Sequence, residues 1–290
     1  MKAWNFGSPT YTCVHCGTIL WYEERTIKSR QTRTPTFSIY CSVGQVTIPQ
    51  LKATPPFLDN LLSYEGGQAA KVFRKNIRAY NMNFAMTSMG GTVDKTINNG
   101  TAPYIFRLGG QNYHNIGSLL PPEGYQPRFA QLYIYDTNNE VSNRISTMRS
   151  NIDHNIVENN IVTGLLTMLD DCNVLVKSFR MARDRFQQED ITNVRLRLIG
   201  SRNSEFSEYS IPNLIEVAAL IVGDFDPQST GRDIVVQNQQ LGLQRIYETH
   251  PSFMALQYLL LFSYGEDGYR RGIRKRSKGG QTITDKKNAQ

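Results

Sequence analysis

The chain has 290 residues, 40% hydrophobic and 20% charged, which is long enough for one large domain or two ordinary ones and within the globular range. Its longest nearly apolar run, Met254–Phe262, is interrupted by Gln257 and falls short of the roughly 20 residues a membrane helix needs. The N-terminus lacks the apolar stretch of a secretory signal, so the composition predicts a soluble intracellular protein. The net charge of +7 is unevenly placed. Residues 269–290 carry eight cations against one anion, Asp285, leaving 24 of each sign in residues 1–268. The basic excess therefore belongs to the tail and says little about a nucleic-acid face on the body.

In chain order, the first segment (1–50) is poor in helical periodicity. Leu20-Trp21-Tyr22 and the alternating Phe37-Ser38-Ile39-Tyr40 predict two short strands around a small knuckle. Pro55-Pro56 opens a helix through Leu58, Leu61 and Leu62 that Gly66-Gly67 closes. Ala70, Phe73, Ile77 and Tyr80 then form the stripe of one amphipathic helix. Strands are predicted at Phe84–Thr87, Tyr104–Leu108 and Phe129–Tyr135, with Gly90-Gly91, Gly109-Gly110 and Pro121-Pro122 at the turns.

A helical pair follows, one face built on Val162, Leu165, Leu166 and Leu169 and the other on Leu175, Phe179, Ala182 and Phe186. A break falls at Asp170–Asn173. Strands return at Val194–Leu198, Ile215–Val222 and Asp233–Gln237, and no repeat of fixed period is present. The fold class is α+β: a small Cys-containing N-terminal knuckle (1–50), then mixed strands around a central helical pair (51–268), then a basic disordered tail (269–290).

Four cysteines are too few for a disulfide framework, but Cys13, Cys16 and Cys41 cluster in sequence. Two thiolates in Cys13-Val14-His15-Cys16 can bite one tetrahedral Zn²⁺ from a tight turn that Gly17 helps to form. A structural site takes four ligands. His15 sits inside the turn and is expected to point away, and His114 or Cys172 can join only through the tertiary fold. The residues support either a zinc knuckle or a degraded one that holds metal weakly or not at all.

Other chemistry is missing. No Gly-Lys dipeptide occurs, so there is no P-loop and no ATP site. The four histidines are too scattered for a His-x-His or H-E-x-x-H site, and no G-x-S-x-G elbow is present. Asp224-Phe225-Asp226-Pro227 fits a polar turn better than a two-metal nuclease pair. His250 before Pro251 is expected in a turn, and Arg180 with Asp184 on a solvated, salt-bridged helix face. The tail cations Arg270, Arg271, Arg274, Lys275, Arg276 and Lys278 suit a nuclear import signal or a phosphate tether, and equally a solubilising linker.

Several blocks carry a resemblance. Phe6-Gly-Ser-Pro-Thr-Tyr-Thr-Cys-Val-His-Cys-Gly17, Leu20–Arg25, Cys41–Val46, Asn76–Asn81, Phe129–Asp136, Phe179–Arg185, Gly231–Gln237, His250–Gln257 and Tyr264–Tyr269 follow one another in the order found in plant Helitron transposon proteins. The chain resembles their N-terminal region from about Phe6 to Tyr269. Such proteins are rolling-circle replication initiators that join a zinc-finger-like N-terminus to a nicking endonuclease and an ATP-dependent DNA helicase. The resemblance implies a non-catalytic, DNA-associated module in the nucleus, preceding the endonuclease and helicase, with Cys13, Cys16 and Cys41 mapping onto the finger. It also admits a module that docks on those domains, or a truncated element copy without present function. The family usually has a cysteine pair where this chain reads Tyr40-Cys41, and prolines where Leu259 and Ser263 stand.

Overall fold

The computed structural model describes residues 7–28, 31, 33–46, 52–94, 96–98, 105, 107–149, 157–187, 194–200, 218–222, 234–237 and 243–269. The tail cations Arg270, Arg271, Arg274, Lys275, Arg276 and Lys278, and the Asp224/Asp226 pair, lie outside the described residues. The fold is α+β, and it divides into two compact units, one within residues 1–53 and one within 54–202 and 211–270.

In the N-terminal unit, β1 (Tyr11–Thr12) pairs antiparallel with β2 (Ile19–Leu20). A single turn of 3-10 helix, Tyr22–Glu24, follows where Leu20–Tyr22 predicted a strand. The Glu24 carboxylate accepts from the Trp21 N–H at 3.0 Å, and this local bond favours the turn over a ladder. Phe37–Tyr40, also expected as a strand, runs into a turn instead. Phe37 is buried while Ile39 and Tyr40 stay exposed, so its alternation serves a single anchor.

The larger unit opens with α1 (Pro56–Leu62). The single helix predicted next is two, α2 (Gly67–Lys75) and α3 (Ile77–Phe84), split at Asn76, which leaves helical geometry at φ −115°. β3 (Ser88–Val93) and β4 (Leu108–Ile116) form an antiparallel pair with a register shift between Gly90 and Thr92. Phe129–Tyr133 is a 3-10 turn rather than a strand. Its buried residues, Ala130, Leu132 and Tyr133, do not alternate, and the Tyr133 hydroxyl donates to the Phe84 carbonyl at 2.7 Å.

α4 (Glu140–Arg149), α5 (Asn159–Cys172) and α6 (Val174–Phe186) follow. Asn173 makes the predicted break: its side-chain oxygen caps α6 by accepting from the N–H groups of Leu175 and Val176. β5 (Val194–Leu198) lies between β6 (Ala218–Val222) and β7 (Ile234–Gln237), both antiparallel to it. β8 (Gln244–Ile246) adds to β4, and α7 (Phe253–Gln257) closes the unit.

One apolar core joins these elements. Leu165 and Leu169 of α5, Leu175 and Phe179 of α6, and the inward-facing Val194, Leu196 and Leu198 of β5 all belong to it. Ile116 and Ile246 bring in the second sheet. A backbone bond from the Leu119 N–H to the Gln237 carbonyl, 2.8 Å, ties the end of β7 to the chain leaving β4.

A charged network crosses this core. Glu140 accepts from Arg144 at 2.7 Å and from Arg180 at 2.8 Å, and Arg180 also pairs with Asp170 at 2.8 Å. Arg180 thus turns inward, away from the expected pairing with Asp184, which pairs with Arg183 instead. Two cations meet two anions, which offsets the cost of burying them. His250 occupies a turn, where its Nδ1 accepts from the Ser252 N–H. Among the described residues no helix is long and apolar enough to cross a membrane.

Candidate metal centre

Cys13 ends β1 and begins a tight turn. Its N–H donates to the Thr18 carbonyl and its carbonyl accepts from the Gly17 N–H, both at 2.9 Å. Gly17 holds φ at +73°, which closes the loop within one residue of Cys16. The Thr26 N–H donates to the Thr36 carbonyl at 2.7 Å, so the chain doubles back and brings Cys41 to the same place. Leu20 and Phe37 pack around the thiols.

The turn carrying Cys41 is strained. Ser42, Val43 and Gly44 follow one another at φ +49°, +59° and +79°. A left-handed β-branched residue such as Val43 is a true outlier, costing on the order of 1–3 kcal/mol. The conformation aims the Gly44 N–H at the Cys41 sulfur, 3.3 Å away. Gly44 stands three residues after Cys41, as Cys16 does after Cys13, and offers an amide where the first turn offers a thiolate.

The three sulfurs lie within 4.8 Å of one another. Cys13 Sγ and Cys41 Sγ are 3.8 Å apart. Zinc–sulfur bonds of about 2.3 Å in tetrahedral geometry put sulfurs about 3.8 Å apart, so this spacing suits the ion. Four free thiols and no disulfide among the described cysteines leave all three sulfurs open to ligation. The donor set therefore fits a Zn²⁺ bound through Cys13, Cys16 and Cys41.

Cys16 and Cys41 are shifted in opposite directions. Burial pushes the Cys41 thiol up, and the Gly44 amide only partly offsets it. Burial also acts to raise Cys16, but hydrogen bonds from the Thr18 hydroxyl and backbone outweigh it and hold that thiol below its ordinary value.

The other ligand types stand elsewhere. His15 is exposed with its ring against Gly44, and a Cβ there would lie 2.8 Å from His15 Nδ1. His114, on β4 in the larger unit, stacks on Phe253 at 3.9 Å, and burial holds its imidazole below the usual range. Cys172 donates to the Ser263 carbonyl at 3.2 Å. The contribution of Gly44 was hidden from the sequence, although a glycine in the Cys-x-x-Gly spacing was the available sign.

No family model matches the chain, and no curated protein matches it.

Proposed function

We propose that the chain is a non-catalytic module of a Helitron-type replication initiator and DNA helicase, acting in the nucleus on DNA. Zinc, held by Cys13, Cys16 and Cys41, supplies a structural cross-link between the two turns and no catalysis. The observation that supports this reading is the gathering of those three sulfurs within 4.8 Å, with Cys13 and Cys41 3.8 Å apart, on residues that the resemblance maps onto the finger. The balance of charge in residues 1–268 supports assigning phosphate contact to Arg270, Arg271, Arg274, Lys275, Arg276 and Lys278.

Fluorescence anisotropy across a salt series tests this. Alanine at Arg274, Lys275 and Arg276 together should weaken duplex binding alike for all sequences and flatten the salt slope by up to about 2.7, the share of three phosphate contacts. An unchanged slope removes the tail from the reading.

A second reading has the larger unit docking on the endonuclease or helicase domains of such a protein. An apolar groove of about 670 Å³, lined by Leu58, Leu62, Ile77, Met82, Met89 and Leu261, favours it. Co-purification with those domains and no measurable DNA affinity would select this alternative.

A further inference from the structure

The sheet β3–β4–β8 has one face in the core and one facing outward. His114, Ile116 and Ile246 are buried on the inner side. On the other side, register aligns Ser88, Asn115 and Arg245 in one row across the three strands. The next row pairs Gly90 with Tyr113, and Tyr247 follows directly after β8. The Arg245 guanidinium lies 4.4 Å from the Tyr113 ring centroid and 5.2 Å from that of Tyr247. Tyr247 is 61% exposed.

Gly90 makes this arrangement possible. A Cβ at that position would lie 2.2 Å from the Tyr113 ring, so the ring packs against the bare backbone of the neighbouring strand. The row of Ser88 and Asn115 continues into a hollow of about 410 Å³, lined also by Tyr125, Gln126, Arg128 and Gln131. Among the described residues no carboxylate lines that hollow. Arg128 is exposed and forms no ion pair among the described residues.

We propose that this face, with Tyr113, Arg245 and Tyr247 as a stacking platform and the Asn115–Arg128 hollow beside it, binds single-stranded nucleic acid. The Arg245 guanidinium lies over both rings and braces them, and the exposed Tyr247 ring offers its remaining π-face to a base of any sequence. Arg128 supplies a cation for a phosphate backbone, and the amides of Asn115 and Gln126 lie where base edges would come, while the Gln131 amide is held by Ser118 and Leu120. Duplex DNA keeps its bases stacked on one another, so it cannot use the platform. The proposal deepens the proposed function and rests on its premise that the chain meets nucleic acid, while adding a contact on the larger unit to that of the tail.

The test compares the full chain with Tyr247→Ala and Tyr247→Phe on oligo-dT, oligo-rU and a duplex by anisotropy. Tyr247 is exposed, so its removal leaves the fold intact, which circular dichroism verifies. Tyr247→Ala should weaken single-strand binding about tenfold, leave duplex binding and its salt slope unchanged, and Tyr247→Phe should restore wild-type affinity. The two single-stranded probes distinguish DNA from RNA as the source of the bases. Equal affinity of Tyr247→Ala and wild type for the single strands, or equal losses on single strands and duplex, overturns the platform while leaving the tail reading standing. Absence of wild-type binding to every probe overturns both.

Discussion

Cys13, Leu20, Phe37 and Cys41 make up the buried apolar cluster of the N-terminal unit, whereas the larger unit packs two sheets and most of its helices around one apolar core. Half of the smaller cluster is sulfur. The few apolar side chains buried among its described residues offset little of the conformational entropy of ordering that unit, and small folds of this kind rely on a cross-link. The larger unit can afford the opposite, a charged network inside its core. Thiols that act as core residues in one place and arginines that act as core residues in the other show that burial alone does not identify function.

Removing metal should break the comparison most strongly. Structural zinc sites are worth on the order of 10 kcal/mol, so a chelator should unfold the N-terminal unit and leave the larger one folded. Both tryptophans, Trp4 and Trp21, fall in the first 50 residues, so their fluorescence reports on that segment, and helical circular dichroism reports on the other. A chelated protein with unchanged tryptophan emission would show that Leu20 and Phe37 suffice.

The next effect lies in the larger unit. Glu140→Ala strips the partner from Arg144, whose side chain has no solvent exposure, and should cost about 3–5 kcal/mol in urea unfolding. Metal affinity of the variant should match wild type. A cost under about 1 kcal/mol would mean that Arg144 finds its stability in the Phe84 and Tyr133 rings, 4.8 and 4.3 Å from its guanidinium.

A smaller effect is set by pH. Burial pushes the Tyr133 phenol up to about 12, with Arg144 opposing and Glu140 adding to the rise. Below pH 10 both folded and unfolded chains keep this proton. Above it the unfolded chain ionises first, so stability falls between pH 10 and 12, by a few kcal/mol at most (roughly 3). Tyr133→Phe should flatten that alkaline decline while losing about 1 kcal/mol at neutral pH with the bond to Phe84. An equally steep decline in the variant would point to Tyr80, whose phenol burial also raises.

Local patterns in the sequence were sufficient where a single residue decides the structure. The apolar faces of α5 and α6, the break at Asn173 and the alternation of β5 were legible because period and cap coincide. Phe129–Tyr133 was misread because an aromatic run favours strand, while the bond to Phe84 that holds it as a turn comes from a distant helix. α4 escaped notice because what it buries is an ion pair rather than an apolar stripe. At the metal centre, Cys13, Cys16 and Cys41 were readable from spacing, but the Gly44 amide was not. The platform of Tyr113, Arg245 and Tyr247 depends on the register of strands far apart in the chain, which no local pattern encodes.

Asn173 does more than separate two helices. Its side-chain amide donates to the carbonyls of Phe262 and Ser263, and the Val174 N–H donates to that of Tyr264. Near the other end of the unit, the Met86 N–H donates to the Leu256 carbonyl, and Asn81 to that of Gln257. The stretch from Leu256 to Tyr264 is therefore a clasp fastened to both the early and the middle elements. Until a ribosome has delivered it, the groups of α3 and of the helix pair that it satisfies remain open. The larger unit can then complete its folding only after residues 256–264 have been synthesised.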